Sequence, residues 1–176
     1  CLPCSFLATL GVGFLTLLYE KLIDDKNIIT IGVIKDKELL GFITAGNSLR
    51  SVYVSLLKQP WKLFILLVCS GISFKKLVSI FEIFYHSFKK TKHGKRAKST
   101  FLKAELYLLA VKSKARRSGL AARLFNHLQQ LFYENGICEF QGLVGAELDA
   151  ANEFYENMGA VQKCQITYHG KPTIIF

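Results

Sequence analysis

The sequence lacks the residue patterns of several common protein classes. Its five cysteines are an odd number, scattered over 176 residues, and they do not form the two CxxC pairs of a zinc ribbon. A disulfide scaffold is disfavoured as well, so we expect a reducing compartment, namely the cytoplasm. The four histidines show no metal-ligand spacing, and we predict no metal site. With 51% hydrophobic and 20% charged residues, the composition is that of a globular chain rather than a disordered one.

Acidic side chains are nearly absent from the middle of the chain. Residues 50–123 hold 17 Lys and Arg but only Glu82 and Glu105, a net charge of +15, whereas the other 102 residues sum to −5. Residues 89–98 alone carry six Lys and Arg. This asymmetry predicts one polyanionic partner, which could be nucleic acid, a membrane surface or a phosphate-bearing ligand. Charge by itself does not choose among the three.

Neither long apolar run predicts a membrane span. Residues 1–19 carry no charge, but glycines and a proline interrupt them and no basic cluster follows. Residues 63–74 are too few to cross a bilayer. No charged leader or cleavage site indicates a signal peptide, and a lipid on Cys1 is the minor alternative. We interpret residues 1–19 as two short buried helices.

Hydrophobic periodicity predicts helices and strands that alternate along the chain. Helices are expected over residues 14–25, within 49–88, and over 119–135 and 148–157. Strands are expected over residues 28–34, 39–45, 103–111, 138–144, 161–168 and 172–176. This order predicts an α/β or α+β fold with one mixed sheet.

A glycine-containing turn joins a predicted strand to a predicted helix near Gly119. Such a turn directs free backbone N–H groups outward at the positive end of the helix dipole, and Gly119 allows a ligand to approach the backbone closely. Cationic side chains surround it, namely those of Lys112, Lys114, Arg116, Arg117 and Arg123. The turn has neither the GK[ST] of a P-loop nor a G-x-G-x-x-G fingerprint. It predicts a pyrophosphate cradle, although an ordinary turn with solvated cations fits the spacing equally well.

Three motifs resemble the GNAT superfamily of acyltransferases. Arg116-x-x-Gly119-x-Ala121 matches its Q/R-x-x-G-x-G/A coenzyme A motif. The preceding AELYLLAV is similar to the family's fourth strand, in a form also seen in the histone acetyltransferase branch. Residues 148–160 (LDAANEFYENMGA) are similar to its N-x-x-A-x-x-F-Y-x-x-x-G-F helix, except that Leu148 replaces Asn and Ala160 replaces the final aromatic.

The resemblance implies the GNAT acyl-CoA N-acyltransferase fold, a mixed and mostly antiparallel sheet flanked by helices. It covers residues 28–176 apart from residues 47–100, which we expect to form a helical and basic insert between the family's third and fourth strands. The whole chain, 1–176, is expected to be one GNAT domain. We expect the family's first strand to lie upstream of Cys1, since the chain begins without methionine.

The resemblance also implies acetyl-CoA as co-substrate and assigns roles to residues. Glu105 would be the general base, Tyr155 the general acid, and a bulged backbone N–H at Leu109 the oxyanion donor. The alternatives are a Glu105 that merely pairs with a lysine and a Tyr155 that packs in the core; cations would lower the pKa of Glu105 and burial would raise it. The expected acetyl-CoA contacts are Leu109, Val111, Arg116, Arg117, Ser118, Gly119, Leu120, Ala121, Ala122, Asn152 and Tyr155. Cys138 and Cys164 are expected to be core thiols.

The function that follows is direct acetyl transfer from acetyl-CoA to a primary amine. The expected acceptor is a small molecule such as an amino sugar or its nucleotide- or lipid-linked form. The alternatives are a protein N-terminal or lysine acetyltransferase, and a non-catalytic basic module that binds nucleic acid or an anionic membrane. Nucleic acid is disfavoured because the basic run lacks interleaved aromatic residues. The oligomeric state is left open.

The insert of residues 47–100 is apolar and basic at once. An apolar body with a cationic rim suits a lid that lies peripherally on an anionic membrane, or a pocket for a phosphate-bearing substrate. It weakly resembles the helical inserts of GNAT proteins associated with bacterial surface polysaccharides. The alternative is a helical hairpin that simply covers the sheet.

Overall fold

The computed structural model describes residues 11–58, 102, 104–168 and 170–176. These residues divide into two units. The first contains residues 11–28 and 48–58, and the second contains residues 29–47, 102, 104–168 and 170–176. Of the predicted insert, residues 47–58 are described and include a helix; residues 59–100, with the basic run 89–98, lie outside the described residues.

The first unit contains two helices, α1 (Val12–Asp24) and α2 (Arg50–Leu57). Helix α1 buries Phe14, Leu17, Leu18 and Leu22, which is the apolar face that the 3.6-residue period predicts. Helix α1 ends at Asp24, and the carboxylate of Asp25 accepts a hydrogen bond of 2.8 Å from the backbone N–H of Asn27. Among the helices that the structure describes, none combines the length and hydropathy of a membrane-spanning segment.

The second unit is built on a six-stranded sheet. Its elements are β1 (Ile28–Lys35), β2 (Glu38–Gly46), β3 (Glu105–Val111), a short 3₁₀ turn (Ser113–Ala115), α3 (Leu120–Glu134), β4 (Gln141–Gly145), α4 (Asp149–Asn157), β5 (Cys164–Tyr168) and β6 (Lys171–Ile175). The spatial order of the strands is β1-β2-β3-β4-β6-β5. Strands β3 and β4 are parallel, whereas the pairs β2–β3, β4–β6 and β5–β6 are antiparallel. The prediction of a mixed, mostly antiparallel sheet is confirmed.

The β1–β2 hairpin closes through a two-residue turn. Asp36 and Lys37 both have positive φ, at 51° and 63°. Two consecutive residues of positive φ are typical of a type I′ turn, whose twist matches that of the flanking strands. Of residues 35–38, which separate the two predicted strands, Lys35 is thus the last residue of β1 and Glu38 the first residue of β2.

Helix α3 packs on one face of the sheet and forms the core. It buries Leu120, Leu124, Phe125, Leu128 and Phe132 and leaves its other side exposed. Their partners in the buried cluster come from the strands and the residue that precedes β3, namely Ile43, Ala45, Ala104 and Leu106. The parallel pair β3–β4 requires such a crossover, since two parallel strands cannot be joined by a tight turn.

Three predicted strands are shorter in the structure than in the sequence analysis, the first being β3, which begins at Glu105 rather than 103. Strand β4 begins at Gln141 rather than 138, and β5 begins at Cys164 rather than 161. Hydrophobic alternation runs on into the flanking loops, but regular pairing begins only where the neighbouring strand is in reach. In β4 that point is Gln141, whose N–H donates to the carbonyl oxygen of Ala104 at 3.0 Å.

Candidate active site

Strands β3 and β4 pair only at their beginnings. The pairs are Glu105–Gln141 and Leu106–Gly142, and the described residues contain no further β3–β4 pair. Strand β3 continues along β2 to Val111, and β4 continues along β6 to Gly145. The facing sides of the two strands are therefore open beyond these pairs. We call this opening the β3–β4 gap.

Strand β3 contains one additional residue, at Tyr107. The β2–β3 register shifts between Thr44 and Ala45, opposite Tyr107, whereas Leu109 lies in register with Ile43. The prediction of a bulge at Leu109 is therefore wrong by two residues.

The physical reason for the bulge lies in the core. Leu106 and Leu109 are three residues apart, yet both pack against the buried cluster under α3. Regular alternation would turn them to opposite faces, and one additional residue between them restores the same face. The hydroxyl of Tyr107 donates a hydrogen bond of 3.0 Å to the carbonyl oxygen of Gly46 and anchors the bulge to β2.

Two backbone N–H groups of β3 point into the β3–β4 gap. The N–H of Lys112 donates to the carbonyl oxygen of Leu40 in β2 at 2.8 Å. In an antiparallel ladder the N–H groups alternate between the two sides of a strand. The N–H groups of Val111 and Leu109, one and three residues earlier, therefore point away from β2 and into the gap. Both residues are among the predicted acetyl-CoA contacts.

The loop between β3 and α3 has the backbone geometry of an anion cradle. Arg117 and Gly119 adopt positive φ, at 59° and 75°, and α3 begins at Leu120. The hydroxyl of Ser118 donates to the carbonyl oxygen of Ala115 at 2.7 Å. A β-carbon added at Gly119 would meet no atom within 4 Å, so the space above the loop is open. The first N–H groups of α3, from Leu120 to Ala122, lack acceptors in the helix because of their position.

A carboxylate that the sequence analysis missed holds two of the cations around this loop. Glu38, the first residue of β2, forms ion pairs with Lys112, at 2.7 Å, and with Lys114. These hydrogen bonds lower the pKa of the Glu38 carboxyl to about 2. Glu38 is 74 residues away from Lys112 in sequence, so only the β2–β3 pairing brings them together. The side chains of Arg116 and Arg117 are exposed beside the loop.

Glu105 lies at the narrow end of the β3–β4 gap. Its neighbour Leu106 points into the α3 core, so by alternation Glu105 projects from the other face of the sheet. Burial raises the pKa of the Glu105 carboxyl, and a hydrogen bond from the side chain of Gln141 opposes that rise. Of the two opposite effects on the Glu105 pKa that the sequence analysis considered, burial is therefore the larger. Gln141 is a second residue that the sequence analysis missed.

Tyr155 lies on the α3 face of the sheet, beside Gly142, which is the next residue in β4 after Gln141. Its ring stacks on Phe176 at 5.5 Å between centroids and meets Phe125 edge-on at 5.9 Å. A β-carbon added at Gly142 would be 3.8 Å from the tyrosine ring. Burial raises the pKa of the Tyr155 hydroxyl to about 12, so the phenol keeps its proton at neutral pH.

Glu105 and Tyr155 therefore flank the β3–β4 gap from opposite faces of the sheet. Each lies beside one of the two pairs at which the gap begins: Glu105 is paired with Gln141, and Tyr155 covers Gly142. A group that reaches through the gap can meet a carboxylate on one side and a phenol on the other. A pocket of about 230 Å³ opens beside Tyr155 on the α3 face, lined also by Phe125, Met158 and Phe176.

Asn152 of α4 carries an unsatisfied buried acceptor. Its Nδ2 donates to the carbonyl oxygens of Gly145 and Ala146, at 3.3 and 3.4 Å, at the end of β4. Its Oδ1 is buried and has no hydrogen-bond partner in the described structure. A buried acceptor without a donor is costly, which makes this atom a candidate for contact with a ligand N–H group.

The histidines and cysteines form no metal-binding group in the described structure. No group of three or more His, Cys, Asp or Glu side chains in the described ranges could hold a metal ion. Cys164 is partly buried, but Cys138 is exposed, so the expectation that it is a core thiol is wrong. Cys138 lies in the loop before β4, beyond the point where regular pairing buries alternate side chains. His169 lies outside the described residues.

Known proteins share this fold. A Desulfovibrio desulfuricans protein assigned to the GNAT family of acetyltransferases superposes with a TM-score of 0.55 at 14% identity, over 91% of this chain and 74% of that chain. The ribosomal-protein-S18-alanine N-acetyltransferase of Escherichia coli superposes with a TM-score of 0.53 at 13% identity, over 91% of this chain and 72% of that chain. A Bacillus anthracis protein described as a streptothricin acetyltransferase, in complex with acetyl coenzyme A, has a TM-score of 0.53 at 15% identity. The superposition covers 89% of this chain and 64% of that chain. No curated protein matches the sequence.

A family model also matches the part of the chain that contains the candidate site. The acetyltransferase (GNAT) domain model matches residues 95–168, which include β3, the loop between β3 and α3, α3, β4 and α4. At such low identities the solved structures show the common fold alone, and the family model covers less than half of the chain. Residues 95–168 are therefore similar to the GNAT acetyltransferase domain, and the fold of the described residues is the one found in GNAT acetyltransferases.

Proposed function

We propose that this chain transfers the acetyl group of acetyl-CoA to a primary amine in a ternary complex, without a covalent enzyme intermediate. The observation that carries the proposal is the β3–β4 gap, which has Glu105 on one face of the sheet, Tyr155 on the other, and the N–H groups of Leu109 and Val111 along its edge. The anion-binding loop follows β3 directly.

The residues present fit acetyl-CoA. The open backbone at Gly119 and the first N–H groups of α3 would hold the pyrophosphate, with Arg116 and Arg117 beside it. The orphaned Oδ1 of Asn152 would accept a hydrogen bond from an amide N–H of the pantetheine arm, and the N–H of Val111 would donate to one of its carbonyl groups. Acetyl-CoA supplies an acetyl thioester, whose carbonyl carbon is the electrophile.

Three groups of this chain would then act on the reaction. The carboxylate of Glu105 takes one proton from the attacking amine as the new C–N bond forms. The N–H of Leu109 donates to the carbonyl oxygen as negative charge develops there. The Tyr155 hydroxyl donates its proton to the sulfur as the C–S bond breaks, which yields free coenzyme A and the acetylated amine. Base and acid lie on opposite faces, so amine and thioester would enter from opposite sides.

For the acceptor, we propose a small-molecule amine that carries phosphate, in the cytoplasm or peripherally at an anionic membrane. The support is the net charge of +15 over residues 50–123, which exceeds what one coenzyme A requires. Release of coenzyme A would be measured with a phosphorylated amino sugar, its unphosphorylated form, and a peptide with a free amino terminus. Turnover of the peptide alone would contradict this acceptor class and favour a protein acetyltransferase.

The test of the cofactor assignment is charge reversal at the loop. Gly119→Glu places a carboxylate where the pyrophosphate would lie, so we expect the affinity for coenzyme A, measured by calorimetry, to fall at least about tenfold, or about 1.4 kcal/mol. Gly136→Glu is the matched control: Gly136 also has positive φ, at 72°, and also faces open space, but at the other end of α3.

The control separates the loss of a phosphate site from a general effect of the substitution. Both glutamates impose a left-handed backbone on a side chain, which costs about 1 kcal/mol. We expect Gly136→Glu to bind coenzyme A as the parent chain does. Equal affinity in the parent and in Gly119→Glu would overturn the assignment.

A further inference from the structure

Gln141 occupies the position where β3 and β4 meet. Its side chain is 1% exposed, one of few polar side chains among the buried residues of the described structure. Its backbone N–H donates to the carbonyl oxygen of Ala104 at 3.0 Å, and its partner in the β3–β4 register is Glu105. Paired residues of neighbouring strands project from the same face of a sheet, so the two side chains lie next to each other.

The backbone holds one end of the Gln141 amide: its Oε1 atom accepts a hydrogen bond of 2.9 Å from the backbone N–H of Leu102. The carboxylate of Glu105, the strand partner of Gln141, can only accept hydrogen bonds, so the Nε2 group is the part of the amide that can serve as its donor. The Leu102 contact restricts rotation of the buried amide beside Glu105.

Within the part of the chain that the structure describes, charges near Glu105 do not explain why its carboxylate would remain ionised. Tyr168, at the end of β5, interacts electrostatically with Glu105, and the carboxylate charge raises the pKa of the Tyr168 hydroxyl further than burial alone does. No cation in the described part of the chain lowers the pKa of Glu105. The hydrogen bond from Gln141 is thus the described interaction that favours the charged carboxylate.

We infer that Gln141 is a positioning residue, whose buried amide holds one oxygen of the Glu105 carboxylate so that the other is presented to the amine. This rests on the proposed function, since it matters only if Glu105 takes the proton. Without the amide, the carboxyl group could rotate about its side-chain torsions and would keep its proton to higher pH. Gln141 itself touches neither the amine nor acetyl-CoA in this assignment.

The experiment is a titration of the full chain labelled with ¹³C at the glutamate carboxyl carbons, followed by NMR. The Glu105 signal is identified by its loss in Glu105→Gln. In Gln141→Leu we expect the Glu105 pKa to rise by about one pH unit, because a hydrogen bond to a charged group carries at least that much free energy. The acidic limb of the kcat/KM profile should move by the same amount, with coenzyme A affinity unchanged.

Two further variants keep the test decisive. If Gln141→Leu does not fold, Gln141→Glu replaces it in the test, because the new carboxyl keeps an acceptor for the Leu102 N–H. Two adjacent carboxyl groups share a proton, so we expect the apparent pKa of the pair to rise further than in Gln141→Leu. Gln130→Leu on the exposed side of α3 is the control and should leave the titration unchanged. An unchanged Glu105 pKa in a folded Gln141 variant would overturn the inference. Failure of the proposed function would appear separately, as a parent chain that binds no coenzyme A.

Discussion

At the scale of single residues, the two faces of the sheet give Glu105 and Tyr155 different surroundings. Tyr155 is packed among aromatic rings, and Glu105 lies beside a buried amide. Burial raises both pKa values, but the consequences differ. A tyrosine whose pKa is about 12 remains a proton donor at neutral pH, whereas a carboxyl whose pKa is raised comes closer to the pH at which a base works best.

Removing the Tyr155 hydroxyl should slow catalysis more than it weakens binding. We expect Tyr155→Phe to lower kcat about 100-fold, while the affinity for acetyl-CoA changes little, because the proton is needed only as the thiolate departs. Initial rates and calorimetry on the same preparations measure both quantities. A loss of affinity with unchanged kcat would show that the hydroxyl contributes to acetyl-CoA binding and does not donate the proton.

Glu105→Gln should slow acetyl transfer yet stabilise the fold. We expect a loss of about 100-fold in rate at neutral pH, with partial recovery at high pH where free amine is plentiful. The folded-state pKa of Glu105 lies above its unfolded value, so the carboxylate destabilises the folded chain above that pKa and the penalty disappears as the pH falls through it. Melting curves should place Glu105→Gln above the parent at pH 7.5, with the difference gone at pH 4. A pH–rate profile identical to the parent's would remove Glu105 as the base.

At the scale of secondary-structure elements, a carboxylate at the start of β2 forms ion pairs with cations of the loop after β3. Glu38 neutralises part of the positive charge of Lys112 and Lys114. We expect Glu38→Gln to strengthen coenzyme A binding roughly two- to five-fold at low salt, because it removes a negative charge beside the loop. The effect should be small since the charge is exposed, and it should vanish at about 1 M salt, where ions screen the interaction. Glu134→Gln at the far end of α3 is the matched control. Weaker binding in Glu38→Gln would mean that the carboxylate holds the lysines in a binding position.

The bulge in β3 determines which side chains of that strand face the core and which face the candidate site. It turns Leu106 and Leu109 to the same core face and leaves Glu105 on the other face. The backbone N–H groups of Leu109 and Val111 face the gap only because the ladder with β2 is regular from Leu108 onward. Bulges often lie next to active sites, where they redirect side chains and end pairing.

At the scale of the whole molecule, the basic run of residues 89–98 is expected to be separable from acetyl-CoA binding. The loop of β3 and α3 supplies its own cations, so deletion of residues 89–98 should leave coenzyme A affinity within about twofold at physiological salt. We expect the deletion to weaken association with vesicles that contain anionic lipid, or turnover of a phosphorylated amine. Vesicle sedimentation and coenzyme A release measure the two effects. If neither changes, the run contributes solubility alone.

The sequence by itself determined the class of fold and predicted most of the residues that line the candidate site. The buried faces of α1 and α3 follow from 3.6-residue periodicity, and Gly119, which the sequence analysis placed in the turn before α3, adopts positive φ there. The motifs around Arg116 and Tyr155 indicated the GNAT acetyltransferases, whose domain model matches residues 95–168. Such signals are local, because a periodicity, a cap or a motif lies within a few turns of one segment.

Only the tertiary structure decided which distant residues meet. Glu38 joins Lys112 through the β2–β3 register, and Gln141 joins Glu105 through the first pair of β3 and β4. The position of the bulge, at Tyr107 rather than Leu109, depends on which leucines must share the core under α3. The sign of the Glu105 pKa shift depends on burial, which no count of neighbouring lysines in the sequence measures. These are properties of strand register and packing, and they exist only once segments far apart in the chain have been brought together.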